Sequence, residues 1–80
     1  MNKNINLINA RKAKNLTQEQ LAEKIQCQKT TISNWENGYS KPTLDVAYVV
    51  SEILETNINI LFFAEKVQET QINNRVNSKP

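Results

Sequence analysis

Apolar side chains recur every three or four positions through most of this chain, and strict apolar/polar alternation is nearly absent, so helices are the expected elements. Leu7 and Ala10 mark the inward side of a first helix from about Ile5 to Lys14. Asn15, tolerant of the left-handed conformation, is expected to cap its end. Thr17-Gln18-Glu19-Gln20 has the form of a capping box, in which the Thr17 hydroxyl and the Gln20 side chain satisfy each other's backbone donors. Leu21, Ala22 and Ile25 then repeat at helical spacing, and this second helix is expected to end near Ile25. Gln26-Cys27-Gln28 is a short polar break before a third helix over Lys29 to Asn37, stopped by Asn37-Gly38. Pro42-Thr43 opens a fourth, with Thr43 as N-cap and Asp45 near the positive end of the helix dipole. Leu44, Ala47, Val50, Ser51 and Leu54 line one side of it. Asn57 is placed to cap a fifth helix carrying Ile58, Leu61 and Phe62. From Glu65 the chain turns polar, so residues 64–80 are expected to be a frayed or disordered tail.

Eighty residues make one domain at most, and here it spans residues 5–63 in an all-α fold. Cys27 is the single cysteine, which excludes an intrachain disulfide and suits a reducing compartment. There is no His, so tetrahedral metal sites and the commonest general base both lack their usual residue. The carboxylates are scattered and no Gly-rich phosphate loop exists. No enzyme activity, cofactor or metal is expected. No apolar run approaches the ~20 residues of a membrane span, and residues 1–14 lack the apolar stretch of a signal peptide. The expectation is a soluble, cytoplasmic protein. Net charge is +2 but unevenly spread. Residues 1–41 hold seven bases against three acids, and residues 42–80 three against five. A basic half suits a polyanion, and it also suits an ordinary solvated surface.

Two short helices joined by about three residues are the minimum helix-turn-helix, so the faces of the third helix must decide. At about 100° per residue, Gln28, Thr31, Ile32, Trp35 and Glu36 share one arc, and Lys29, Thr30, Ser33, Asn34 and Asn37 the other. The second arc is wholly polar, with one base and no acid. Lys can donate to guanine O6 and N7, Asn and Gln can bond adenine bidentately, and Ser or Thr can serve either. A merely solvated face usually carries acids and longer charged chains, and this one does not.

The segments Leu16-Thr17-Gln18-Glu19-Gln20-Leu21-Ala22-Glu23-Lys24-Ile25, Thr31-Ile32-Ser33-Asn34-Trp35-Glu36-Asn37-Gly38 and Lys41-Pro42-Thr43-Leu44 resemble the Cro/C1-type (XRE-like) helix-turn-helix family. The likeness covers about residues 5–63. It implies a five-helix, lambda-repressor-like domain that binds double-stranded DNA, usually as a homodimer on a palindromic operator, and regulates transcription, with repression the first expectation. By the resemblance, Gln18 is a backbone-clamping glutamine, and Asn37 and Lys41 touch phosphate. Gln28, Lys29, Thr30, Ser33 and Asn34 match base-facing positions. Arg11 and Glu36 match a pair that bridges the first and third helices, with a phosphate contact the alternative role for Arg11.

The chain departs from the family where glycine is common, at Gln26 and near Glu55, and where Leu is usual, at Ala10 and Ala47. Tyr48, Trp35 or Phe62 is expected to fill the space beside those alanines. Trp35 is read as core rather than a base-stacking residue, and Cys27 as a buried inert thiol rather than a redox sensor. Phe62 is expected in the core and Phe63 as an exposed anchor for self-association, with Leu61 shared. The rival readings are an antitoxin or adaptor that chiefly binds a partner protein such as a toxin, and an interaction module that has lost DNA binding.

Overall fold

The described residues make four α-helices: α1 (Ile5–Ala13), α2 (Gln18–Ile25), α3 (Lys29–Glu36) and α4 (Leu44–Leu54). A π-helical turn follows over Asn59–Phe63. These come from a computed structural model that describes residues 2–63, so the tail expected over residues 64–80 lies outside the described residues. No strand occurs among the described residues, and the fold is all-α.

Three of the four described α-helices, all but α3, start on a side-chain cap. Asn4 Oδ1 accepts from the Leu7 N–H at 3.0 Å. At α2 the capping box is complete: Thr17 Oγ1 accepts from the Gln20 N–H at 3.0 Å, and Gln20 Oε1 from the Thr17 N–H at 2.9 Å. Thr43 caps α4 through a longer bond from the Val46 N–H.

The ends are more uniform. Each α-helix closes on a residue with positive φ, namely Asn15 (59°), Gln26 (60°), Gly38 (80°) and Glu55 (52°). Behind each, a backbone N–H turns back to a carbonyl five residues earlier: Leu16 to Arg11, Cys27 to Ala22, Tyr39 to Asn34 and Thr56 to Ser51. This is the Schellman closure, which satisfies carbonyls that the helix leaves unpaired. Asn15 is thus one residue past the cap of α1, which is Lys14. α3 stops at Glu36, with Asn37 as its cap.

Leu7, Leu21, Ile32, Ala47, Val50, Leu54 and Leu61 form the core, closed by Trp35 against Phe62 edge-to-face at 6.2 Å. That aromatic pair belongs to the same buried cluster as Ala47, while Tyr48 stays outside, 58% exposed. Leu44 is also outside at 66%, although it falls on the apolar side of α4 by spacing. The first turn of that helix packs inward through Val46 and Ala47 instead. Phe63 corrects the expectation of an exposed anchor, because it is half-buried and packed on the core. Cys27 is half-buried at the α2–α3 turn rather than fully enclosed.

The N-terminal segment is tied down by one side chain. Asn4 donates from Nδ2 to the Leu61 carbonyl at 2.6 Å, and its backbone N–H donates to the Glu36 carbonyl at 2.8 Å. It therefore joins the start of α1, the end of α3 and the π-helical turn. Asn6 Nδ2 adds a bond to the Ile60 carbonyl at 3.1 Å. The Asn2 carbonyl lies so close to Gly38 that a Cβ there would sit 2.1 Å from its oxygen.

Two substitutions separate these backbone constraints. Gly38→Ala should lose about 1–2 kcal/mol to the left-handed conformation alone, and more from the clash with Asn2. Gln26→Gly should instead gain up to about 1 kcal/mol by removing a Cβ from the same conformation. Urea unfolding followed by circular dichroism measures both, and the opposite signs are the expected result.

Candidate nucleic-acid interface

α2 and α3 pack as a pair around Leu21, Ala22 and Ile32, and the turn between them is set by left-handed Gln26. That packing turns Ile32, Trp35 and Glu36 inward and leaves the polar arc of α3 outside. Gln28, Lys29, Thr30 and Asn34 are exposed, while Ser33 and Asn37 are half-buried. Asn37 Nδ2 donates to Ser33 Oγ at 3.3 Å, which ties the last turn of this surface together. Lys41 is exposed in the loop that follows, its Nζ 5.8 Å from the centre of the Phe63 ring. A cation over an aromatic face is held by the ring quadrupole, so the lysine is partly oriented before any ligand arrives.

The one acid of α3 is removed from that surface. Glu36 is buried, and Arg11 donates to it twice, from Nε to Oε2 at 2.6 Å and from Nη2 to Oε1 at 3.1 Å. Arg11 Nη1 also donates to the Leu16 carbonyl at 2.8 Å. One side chain of α1 is thereby bound both to α3 and to the loop leading into α2. The paired geometry gives direction as well as charge neutralisation.

Gln18, the first residue of α2, is half-buried and donates from Nε2 to Glu36 Oε1 at 2.9 Å. Nothing in the sequence joins Gln18 to the Arg11–Glu36 pair, and the fold brings the three together. The signal available was only that Gln18 opens α2 and Glu36 borders the apolar arc of α3. The capping box employs the N–H groups of Thr17 and Gln20, so those of Gln18 and Glu19 are the open donors of this helix start.

Among the other polar groups, the Cys27 thiol is pushed above its ordinary pKa by burial, which disfavours the reactive thiolate. The Glu55 carboxyl is held below its usual range by the hydrogen bond from Lys14. An open groove lined by Lys14, Leu16, Lys24, Ile53 and Glu55 shares no residue with the α3 surface. No described helix is long and apolar enough to cross a membrane.

A family model described as Helix-turn-helix matches residues 7–61, from the first core leucine to the π-helical turn. The chain belongs to the Cro/C1-type helix-turn-helix family. This family assignment and the all-helical architecture agree with the resemblance carried by its motifs. Among curated proteins, the chain is 37% identical over 70 residues to the HTH-type transcriptional activator BcrR of Enterococcus faecalis. The aligned segment takes up 86% of this chain and 34% of that relative, so the chain spans about a third of the relative's length. No solved structure matches.

Arg11→Met should remove both bonds to a buried carboxylate and cost about 3–5 kcal/mol, the penalty of leaving one charge of a buried pair uncompensated. Thermal unfolding would register this as a large drop in midpoint, whereas Lys14→Met, at the exposed pair with Glu55, should change little.

Proposed function

We propose that this domain is a sequence-specific, double-stranded DNA-binding regulator of transcription that seats α3 in the major groove. The observation that carries the reading is the outward face of α3: short hydrogen-bonding side chains with one base, its only acid buried against Arg11. Gln28, Lys29, Thr30, Ser33 and Asn34 would contact base edges, and Gln18, Asn37 and Lys41 would contact backbone phosphates. The start of α2 favours an anion at the same place. Arg11 and Glu36 do not themselves touch DNA in this reading, since their charges are paired with each other inside the domain.

The domain would act as a homodimer on a roughly palindromic site, with half-sites about one helical turn apart. Several large apolar side chains remain exposed, among them Leu44 and Tyr48 one turn apart on α4, and a second copy would shield such surface. A domain seated over a promoter would repress by excluding polymerase. The name of the BcrR relative, a transcriptional activator, favours a second outcome in which the bound domain recruits polymerase. A reporter with the site placed over, or upstream of, the promoter separates the two. A role as an antitoxin-like adaptor would instead show as stoichiometric co-purification of a small partner protein.

The assignment of roles has a direct test on the duplex that wild-type protein selects from a random pool. Lys29→Ala and Asn34→Ala should each cost about 1–3 kcal/mol and relax preference at one base position. Lys41→Ala should weaken all sequences alike and lower the salt slope by about one. Identical behaviour of the two kinds of variant would refute the division between base and phosphate contacts.

A further inference from the structure

We infer that buried Glu36 acts on DNA through Gln18, by fixing which way its amide faces so that one Nε2 proton is presented to a backbone phosphate. The inference rests on the reading of Gln18 as a phosphate contact.

A glutamine amide has an oxygen and a nitrogen of similar size, and on an open surface it turns either way. Here only one orientation is compatible with its neighbour. A carboxylate has no proton to give, and both oxygens of Glu36 already receive bonds from Arg11. Turning the Gln18 amide over would set its oxygen against Glu36 Oε1, acceptor against acceptor. Nε2 therefore faces inward, at 2.9 Å. Its first proton is taken by Glu36, and its second lies in the amide plane and serves as a donor.

The arrangement also answers a charge problem. A carboxylate this close to the helix start would repel phosphate, but Arg11 cancels it inside the protein. Gln18 is then a neutral spacer whose donor is aimed by an ion pair the phosphate does not meet. Glu36 is accordingly a positioning residue.

The test is a double-substitution cycle between Glu36→Gln and Gln18→Ala, measured on the selected duplex and on a random-sequence duplex. Glutamine at position 36 keeps the size but can both donate and accept, so it no longer dictates the direction of the Gln18 amide. Each single variant should bind about tenfold more weakly, on both duplexes alike, and the double variant no more weakly than the worse single one. If Glu36 were only structural, the two losses would multiply to about a hundredfold, and the inference would fall. Tighter binding by Glu36→Gln, the response to simple loss of a negative charge near DNA, would also overturn it. Wild-type protein that binds no duplex would remove the DNA reading itself, whereas binding with multiplying losses removes only the positioning role.

Should Glu36→Gln fail to fold, the wild-type protein still gives an answer by nuclear magnetic resonance of its side-chain amides. One Nε2 proton of Gln18 should exchange more slowly than those of exposed Gln26 and Gln28, and the other should shift when duplex is added. Gln18 Nε2 protons that exchange as fast as those of Gln26 and Gln28 and are unmoved by DNA would overturn the inference.

Discussion

The buried pair of Arg11 and Glu36 is the constraint on which the rest of this structure depends. Ionised groups are expensive to take out of water, and a domain of this size has little apolar surface with which to offset the cost. The pair is nevertheless enclosed, because each group is met by several bonds rather than one. Those bonds reach α1, the loop before α2, the first residue of α2 and the last of α3. Apolar packing of Leu7, Leu21 and Ile32 pulls the helices together and narrows the angles open to them. The directional bonds around Glu36 restrict that angle further, and it decides how the exposed face of α3 stands relative to the start of α2.

Much of the architecture was legible because it is written in local chemistry. The capping box at Thr17 and Gln20, the cap at Thr43 and the stop at Gly38 involve residues a few positions apart, and sequence shows them directly. The faces of α3 were legible for the same reason, since helical periodicity sorts eight residues without knowledge of the surroundings. Expectations failed where the outcome depended on which elements cover which. Leu44 has the right spacing for the core, but spacing cannot report that the first turn of α4 packs inward through Val46 and Ala47 and leaves Leu44 outside. Phe63 is half-buried because it lies between the core and Lys41, residues brought beside it only by the fold. The bond from Gln18 to Glu36 spans 18 positions and two helices, and an amide carries no pattern that betrays its partner.

The glycine-poor ends show how a family fold survives departures from its usual residues. Gln26 and Glu55 adopt the left-handed conformation that glycine would take without strain. Each such residue costs about 1–2 kcal/mol in the folded state, yet a side chain there also restricts the unfolded chain, so part of the cost returns. The backbone bonds from Cys27 to Ala22 and from Thr56 to Ser51 are kept. The turn between α2 and α3 therefore closes without glycine, and it lies within residues 7–61, the span that the family model matches.

The close approach of Asn2 to Gly38 has a practical corollary for handling the protein. The backbone nitrogen of Asn2 itself lies beside the α3–α4 loop, a few residues from Asn37 and Lys41. A bulky affinity tag on that end would crowd the surface offered to a duplex, and an acidic one would compete with it electrostatically. Purification handles at the amino end should be cleaved before any affinity is measured, or an inert fusion will be mistaken for a weak binder.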